Sequence, residues 1–435
     1  MQRGGVTNRE RRSRERGAVL VHVAVTLVGL VSFSALTVDY GVLWTSRRQA
    51  QNSADAGALA GAIALAFDNP TDKSVTGPAS RNAFAATQAN LVFGAAPSVT
   101  PATDITFNTC PDGTDTCVQV RVYRTSARGS ALPSFFAQLI GITSQDIQAY
   151  AEAEVVYGNA TECMRPFAVL DKWDEYDMAT NPNTPESEYL RGLLDPDWNI
   201  NSSFDKYAPA NPAPGPEADY YEAPALCPPG TTNCSTGTGY RLFDDYGNAI
   251  DYGTELKLHS GSQDQSSAGW FLPVRLTPTA SGAADYCSAI KQCTGQLNTI
   301  GQTISTETGN MVGPTEQCLF TDADSLYNKD PTAHWEPDYF GTGRGAVVSS
   351  KYGPNQSPRI VPMPVINPDE LFAGNPNGQT SLTIRNILGF FVERQEGNGG
   401  QTRTVGRLVN VPGQTTGGNT VDSSSSFIKT IRLIR

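Results

Sequence analysis

The sequence predicts an α+β protein in which a long amino-terminal transmembrane helix leads into a compact α+β unit and then a mostly β domain with long loops. Three observations support this fold class. Residues 17–38 carry no formal charge, and no proline interrupts the chain before Pro70. From Thr161 onward, short strand-like segments alternate with Gly, Pro, Asn and Asp. We therefore divide the chain into residues 1–16, 17–38, 39–67, 68–158 and 159–435.

Residues 17–38 form the predicted transmembrane helix, because about 20 apolar residues suffice to span a bilayer. Six arginines and two glutamates give residues 1–16 a formal charge of +4, whereas Asp39 directly follows the apolar run. The positive-inside rule then predicts a cytoplasmic basic tail, with nearly all of the remaining chain outside the membrane. A cleaved secretory signal is the alternative reading. We favour a retained or prepilin-type anchor, because the run is longer than the about 7 to 15 apolar residues of a signal sequence.

Residues 39–67 extend this helix into a protruding spine, and a helix over residues 17–67 would be roughly 75 Å long. Small residues recur at spacings of three and four and therefore line one helix face, which permits close contact with another element. That element is either the globular part of the same chain or a neighbouring subunit, and the sequence leaves both open. The predicted packing residues are Ala50, Ala54, Gly57, Ala58, Gly61 and Ala62.

The next part of the chain, up to a boundary near Asn159, alternates helical and strand-like patterns. Strands are predicted on either side of a turn at Asp112–Gly113. The predicted elements are a helix over 78–92, strands over 105–109 and 118–124, a short amphipathic helix over Leu132–Ile140, and a strand over Asp146–Tyr157.

Beyond Asn159 long helical patterns disappear and a mostly β domain is predicted. The stretch from Ala208 to Gly239 is too rich in Pro and Gly for a core element and is expected to be a surface excursion. The strand candidates are FAVLD, ELKLHS, WFLPVRL, RIVPMPV, ILGFFVER and GRLVNV.

Eight cysteines all lie beyond the predicted span, and their even number suits disulfides in an oxidising compartment. Zinc is disfavoured because no pair has CxxC spacing and only His259 and His334 lie outside the membrane. Local spacing suggests, as a hypothesis, the pairs Cys110–Cys117, Cys227–Cys234 and Cys287–Cys293, with Cys163–Cys318 remaining.

Charge and motifs argue against several functional classes. The whole chain has a formal charge of −11, so the part after residue 16 carries −15, which disfavours nucleic acid as a partner. The sequence lacks GxSxG, HExxH and GxxxxGK[ST], so we expect no enzyme and no cofactor. Acidic residues cluster at Asp244, Asp245 and Asp251 and at Asp322 and Asp324. Paired carboxylates could serve glycoside hydrolysis or calcium binding, but solvated turn acids account for them better.

Four tryptophans beyond the anchor could stack on sugars or on another protein. In a β domain such residues are more often part of the core. They are Trp173, Trp198, Trp270 and Trp335.

The run RGAVLVHVAVTLVGLVSFSALTVDYG and the following RRQAQNSADAGALAGA resemble the amino-terminal module of the TadE/TadG-like proteins of Flp (Tad) pilus assembly. The resemblance covers residues 16–62. Asp39 occupies the acidic position that follows the apolar helix in this module. Its second half includes Gln51, Asn52 and Asp55. A weaker resemblance, carried by CMRPFAVLDKW, AGWFLP, GNMVGPT and SPRIVPMP, links the carboxy-terminal part to the domain that follows the anchor in a subset of these proteins.

The resemblance implies a single-pass protein of the bacterial inner membrane with an extracytoplasmic domain and a pilin-like unit over residues 68–158. It implies a minor pseudopilin or assembly factor whose partners are the membrane and other pilus-assembly proteins. Some relatives are processed after a glycine that precedes a hydrophobic segment with Glu at its fifth residue. Gly17 and Ala18 match such a processing site, but His22 replaces the glutamate, which favours a retained anchor.

Some larger relatives carry a von Willebrand A-type domain with an Asp-x-Ser-x-Ser metal site. Asp422, Ser424 and Ser426 match that string, but only nine residues follow Ser426, so we interpret them as a Ser-rich loop.

Three functional hypotheses result. The first is a membrane-anchored structural or assembly component of the Flp/Tad pilus. The second is a pilus-associated or cell-surface adhesin that recognises a surface ligand, and the third, less favoured, is a periplasmic carbohydrate-active enzyme.

Overall fold

The computed structural model describes residues 8–172 apart from 112, then 221, 239–242, 250–260, 270–341 apart from 278 and 280, 344–373, 379–397 and 402–434. The chain divides into two compact units. Unit 1 contains residues 1–62, 73–154 and 433–435, and unit 2 contains residues 63–72 and 155–432. The predicted excursion Ala208–Gly239 lies outside the described residues, apart from Tyr221 and Gly239.

One helix, α1, runs from Asn8 to Phe67 without a break and is 60 residues long. At 1.5 Å per residue its length is about 90 Å. It ends where expected: the Asn69 side-chain oxygen accepts hydrogen bonds from the backbone N–H groups of Thr71 and Asp72, and Pro70 cannot continue a helix. Its last five residues belong to unit 2.

The rest of unit 1 packs two short helices and an antiparallel sheet around α1. Strand pairing follows the order β1-β2-β5, with Asn108 opposite Cys117 and Cys117 opposite Glu154. The two predicted strands and their hairpin, as well as the predicted strand over Asp146–Tyr157, are therefore confirmed. The elements are α2 (Pro78–Ala89), α3 (Pro101–Asp104), β1 (Ile105–Asn108), β2 (Cys117–Arg124), β3 (Leu132–Pro133), β4 (Ser144–Gln145) and β5 (Ile147–Tyr157), whose last three residues lie in unit 2.

The prediction of an amphipathic helix over Leu132–Ile140 is wrong. Leu132 and Pro133 form β3, which pairs with β4, and only Ala137–Ile140 form a short 3-10 helix. Gly141 ends that turn with a φ of 90°. A longer helix is prevented at its start because the Leu132–Pro133 segment is already engaged in an extended pairing.

Unit 2 is built on six strands whose pairings close into a ring, in the order β14-β7-β9-β8-β16-β15 and back to β14. Pairs β7–β14 and β8–β9 are parallel and the others antiparallel. Each of the six predicted strand segments forms one of these strands. The elements are β6 (Ala160–Thr161), β7 (Phe167–Leu170), β8 (Glu255–Ser260), β9 (Trp270–Arg275), α4 (Ala283–Lys291), β10 (Asn298–Thr299), β11 (Thr303–Thr306), α5 (Val312–Glu316), β12 (His334–Glu336), β13 (Ala346–Val348), β14 (Ile360–Ile366), α6 (Pro368–Ala373), β15 (Ser381–Glu396), β16 (Arg403–Val409), β17 (Val411–Pro412) and β18 (Ile428–Leu433).

A single hydrophobic core supports unit 2. Consecutive residues of the central strands are buried, as expected for strands that are covered on both faces of the sheet. Apolar side chains from β7, β14 and β15 dominate it, including Phe167, Met363, Val365, Phe390 and Phe391. Mixed helix and sheet content, with a strand-rich second part, confirms the predicted fold class.

The structure joins Cys110 to Cys117 as predicted but pairs the other described cysteines differently. Cys163 bonds to Cys293, and Cys287 bonds to Cys318. The predicted pairs Cys287–Cys293 and Cys163–Cys318 are therefore wrong. Cys287 lies within α4 whereas Cys293 follows the end of that helix, so their side chains point to different neighbours although they are close in sequence. The predicted pair Cys227–Cys234 lies outside the described residues.

Candidate functional site

The first part of α1 has the length and composition of a membrane span. Large apolar side chains from Val19 to Phe33 are exposed. The apolar window of this helix has a mean hydropathy of 2.3, and none of it is buried within the chain. Gly17 and Ala18, the predicted processing site, lie inside α1, and cleavage there stays a prediction.

Asp39, the first residue after the apolar run, has a buried carboxylate that binds another part of unit 1. It accepts hydrogen bonds from three successive backbone N–H groups: Phe135 at 2.8 Å, Phe136 at 3.1 Å and Ala137 at 2.6 Å. A carboxylate with several N–H donors makes stronger hydrogen bonds than a neutral acceptor. Asp39 thus fastens the turn that precedes the Ala137–Ile140 helix to the start of the spine. Sequence reasoning marked Asp39 as part of a motif but did not find its partner.

Gln51 and Asp55 form a second contact of the spine. The Gln51 side-chain nitrogen donates to Asp55 Oδ1 at 2.8 Å and to the Tyr150 carbonyl oxygen of β5 at 3.1 Å. Asn52, the third residue of this part of the motif, is exposed. Gln51 therefore links the helix to strand β5, and Asp55 holds the Gln51 amide in place, whereas Asn52 is exposed at the surface.

The small-residue face of α1 packs on unit 1 of the same chain. A Cβ atom at Gly57 would lie 2.5 Å from Thr87 Cγ2 of α2, and one at Gly61 would lie 2.8 Å from Val118 Cγ1 of β2. Both distances are shorter than real contacts, so only glycine fits at these positions. Of the two alternatives for this face, the structure shows packing on the chain's own fold. The four buried alanines of the face are Ala50, Ala54, Ala58 and Ala62.

The described acidic residues of the predicted clusters are held in ion pairs. Asp251 forms a buried pair with Lys172, with both carboxylate oxygens 2.8 Å from Nζ. Asp322 and Asp324 both bind Lys291, at 2.6 and 2.5 Å. This is the arrangement of structural carboxylates rather than of an acid and base facing a substrate. Asp244 and Asp245 lie outside the described residues.

The Asp-x-Ser-x-Ser string forms a hydrogen-bonded loop. The Ser424 N–H donates to Asp422 Oδ1 at 2.7 Å, and the Ser424 hydroxyl accepts from Arg241. The Ser426 hydroxyl is bonded to the carbonyl oxygens of Gly158 and Ile428. The interpretation as a Ser-rich loop agrees with these contacts.

Trp335 packs inside unit 2. Its ring centroid is 5.9 Å from that of Tyr252, and a Cβ atom at Gly345 would lie 2.3 Å from its ring. Trp335 is therefore a packing residue. Trp173 and Trp198 lie outside the described residues, as does the side chain of Trp270.

Two groups of sulfur and carboxylate atoms come close enough to suggest a metal ion, one with Glu154 and one with Asp322. In both, the two cysteines are joined in a disulfide, Cys110–Cys117 or Cys287–Cys318. Metal binding by cysteine needs the thiolate, so neither group offers cysteine ligands.

A cavity of about 470 Å³ lies in unit 2 beside α4 and was not foreseen from the sequence. Arg275 and Glu307 line it and form a two-pronged ion pair, with N–O distances of 3.0 and 2.7 Å. Because its lining comes from β9, α4 and the residue after β11, no local sequence pattern could have revealed it.

Asp171 is a buried carboxyl whose ionisation should make unit 2 sensitive to pH. It accepts hydrogen bonds from the Tyr221 hydroxyl and the Lys172 backbone N–H, both at 2.9 Å. Burial raises the pKa of Asp171 from 3.8 to about 7, and these hydrogen bonds offset only part of that effect. The folded form therefore binds this proton more tightly than the unfolded chain does. Its stabilising effect is complete below about pH 4 and is lost as the pH rises through 7.

We predict that Asp171→Asn removes this loss. As the pH rises from 4 to 7, the unfolding free energy of the wild type should fall relative to that of the variant. All other carboxyls are common to both proteins, so the difference reports Asp171 alone. Urea titrations at several pH values would measure it. Parallel pH profiles for the two proteins would contradict the assignment.

A second prediction concerns Asp39. Asp39→Asn removes the charge and one acceptor oxygen, so amide hydrogen exchange at Phe135, Phe136 and Ala137 should accelerate by about tenfold or more. Exchange mass spectrometry on a peptide spanning these residues would show it. Asp115→Asn is the matched control, because Asp115 is an exposed carboxylate of the same unit that binds Lys73. Equal exchange in both variants would refute the role given to Asp39.

These features define a class of protein: a candidate membrane-spanning helix that continues without a break as the packed spine of an α+β unit. Residues 17–64 match the family model Tad, described as "Putative Flp pilus-assembly TadE/G-like". The resemblance of the amino-terminal module is thereby confirmed, and the weaker resemblance of the carboxy-terminal part stays a prediction. No curated protein matches the chain, and no solved structure matches it. The match supports involvement in Flp (Tad) pilus assembly, with the membrane and pilus-assembly proteins as partners.

Proposed function

We propose that this chain is a non-enzymatic, membrane-anchored assembly component of the Flp/Tad pilus, similar to a minor pseudopilin. The observation that carries the proposal is that residues 17–64, which match the TadE/G-like family model, lie in one helix whose apolar part leads directly into packed structure. The Asp39 carboxylate joins the end of the apolar run to the Phe135–Ala137 turn of unit 1 by accepting three backbone N–H groups. A structural role suits this connection, because it fixes the position of the folded part of unit 1 relative to the apolar helix and offers no group that would react with a substrate.

We place the basic tail, residues 1–16, in the cytoplasm, residues 17–38 in the inner membrane, and the rest of both units outside it. The arginine-rich tail supports this orientation. The three described disulfides support it too, because all of them lie beyond the apolar run and such bonds persist in oxidising compartments. The buried ion pair of Asp251 with Lys172, and the pairing of Asp322 and Asp324 with Lys291, favour a structural over a carbohydrate-active unit 2.

The test is a deletion strain of the native host complemented in turn with wild type, Asp39→Asn and Asp115→Asn. We expect loss of surface pili on deletion, recovery with wild type and with Asp115→Asn, and weaker recovery with Asp39→Asn at equal protein level. Normal piliation without the protein would overturn the assembly role. If attachment to surfaces were then lost, the adhesin alternative would take its place.

Intact mass and amino-terminal sequencing of protein from membranes and from sheared pili would define the role further. Full-length chain confined to membranes is the expected result, because His22 stands where processed relatives have glutamate. A chain beginning at Ala18 in the fibre would instead identify a processed minor pilin.

A further inference from the structure

An uncharged and partly exposed loop of unit 1 lies beside the candidate span. Gly129 to Gln145 contains 17 residues without a formal charge. Within it, the Phe135 side chain is 51% exposed and that of Ile142 is 48% exposed. Phe93, 37% exposed, extends this surface, because its ring centroid is 6.3 Å from that of Phe135. Neighbouring large apolar side chains left open to water indicate a surface that is covered in use.

The position of this loop along α1 is set by Asp39. The carboxylate of Asp39 binds the backbone N–H groups of Phe135, Phe136 and Ala137. Asp39 directly follows residues 17–38, the part of α1 that would lie in the hydrocarbon region. The loop is thus held at the level where the helix leaves the bilayer, a few ångströms from the acyl chains.

Aromatic residues on the exposed side of α1 mark the same level. Tyr40 is 63% exposed and Trp44 is 49% exposed. Trp44 is five residues beyond Asp39, about 7.5 Å along the helix axis, and the headgroup layer of one leaflet is about 6 Å thick. Tyrosine and tryptophan concentrate at this depth in membrane proteins. The Arg48 guanidinium lies 3.7 Å above the Trp44 ring, where a cation can meet lipid phosphate.

We propose that the loop Gly129–Gln145 is a second membrane contact, which inserts Phe135 and Ile142 into the headgroup region of the outer face of the bilayer. The occupant of this apolar surface is lipid, because the loop is bound to the helix at the membrane exit and shares its level with Tyr40 and Trp44. A single spanning helix leaves unit 1 able to tilt and rotate, whereas two contacts restrict both motions. The inference rests on the proposed membrane anchor.

The experiment uses the full chain in nanodiscs of phosphatidylcholine brominated near the headgroup end of the acyl chains. Phe135→Trp adds a fluorophore at the proposed contact, and the emission of the wild-type protein is subtracted. Tyr150→Trp is the matched control: Tyr150 is 42% exposed, and its carbonyl is bonded to Gln51. Gln51 is 12 residues beyond Asp39, about 18 Å along the helix. We expect blue-shifted emission that is quenched by brominated lipid from Trp at 135, and neither effect from Trp at 150.

Equal and weak quenching at both positions would overturn the proposed loop contact. If the same chain resists extraction from membranes by alkaline carbonate, the proposed anchor stands. Extraction of the chain by carbonate would overturn the anchor as well. A measurement on the unmodified chain guards against a misfolded variant: a carbene reagent that partitions into the bilayer should label the peptide around Phe135 and Ile142. Labelling confined to residues before Asp39 would refute the proposal.

Discussion

Replacing Cys163 and Cys293 together with serine is expected to lower the unfolding free energy of unit 2 by about 5 kcal/mol. The disulfide joins residues that are 130 positions apart. A cross-link restricts the unfolded chain, and its effect grows with the logarithm of the length of the loop that it closes. Domains are stabilised by only about 5 to 15 kcal/mol, so this one bond accounts for a large share of the stability of unit 2.

Urea titration of the purified chain, followed through tryptophan fluorescence, would measure the loss, because four of the five tryptophans fall within unit 2. The double replacement of Cys110 and Cys117 is the matched control. It opens a loop of only 7 positions in unit 1, so the expected loss there is about 2 kcal/mol and should leave the unit 2 transition in place. A loss below about 1 kcal/mol for the first variant would contradict the pairing of Cys163 with Cys293.

Arg359→Met is expected to destabilise unit 2 by about 4 kcal/mol. The Arg359 side chain is completely buried, and its guanidinium lies 4.2 Å from the centre of the Tyr327 ring. Burial lowers its pKa to about 10, so removing the charge returns part of the desolvation cost. The unpaired acceptors outweigh that gain, since each buried carbonyl left without a donor costs about 1–3 kcal/mol. The guanidinium donates to the backbone carbonyls of Val392, Asp330, Ala333 and Glu393, of which that of Asp330 also accepts the Ala333 N–H.

Arg394→Met provides the comparison for this prediction. Arg394 lies in β15 of unit 2, but its side chain is 40% exposed, and it pairs with Glu255 and Glu396. Such pairs contribute about 1 kcal/mol or less, so Arg394→Met should be nearly neutral. Arg359→Lys should also destabilise, because one ammonium group cannot reach carbonyls on both sides of the guanidinium. Similar unfolding midpoints for Arg359→Met and Arg394→Met would show that the buried network contributes little.

The membrane-length helix, its end near Phe67 and the six strands of the ring were all predictable. Each depends on a local pattern: absence of charge, position of Pro70, or alternation of apolar side chains between turn residues. The order in which the six strands pair into a ring was not predictable. Strand β7, for example, lies between β9 and β14, although both are about 100 or more residues further along the chain. Strand order depends on which apolar faces fit together, and no local pattern records that.

The disulfides and the loop Leu132–Ile140 illustrate the same limit. Spacing suggested Cys287–Cys293, but the helix α4 directs Cys287 to Cys318. The apolar pattern of Leu132–Ile140 suggested a helix, but pairing of Leu132 with Gln145 keeps the start of the segment extended. In both cases a contact between distant segments outweighed a local preference.

The spine shows the division most clearly. The small residues at every third and fourth position of α1 were sufficient to predict a closely packed face, because helical geometry aligns them. That α2 and β2 cover this face, and that Asp39 binds Phe135, became evident only from the folded chain. Helix and strand periodicities are properties of neighbouring residues, whereas the partner of a packed face or a carboxylate is chosen by the fit of surfaces that meet only after folding.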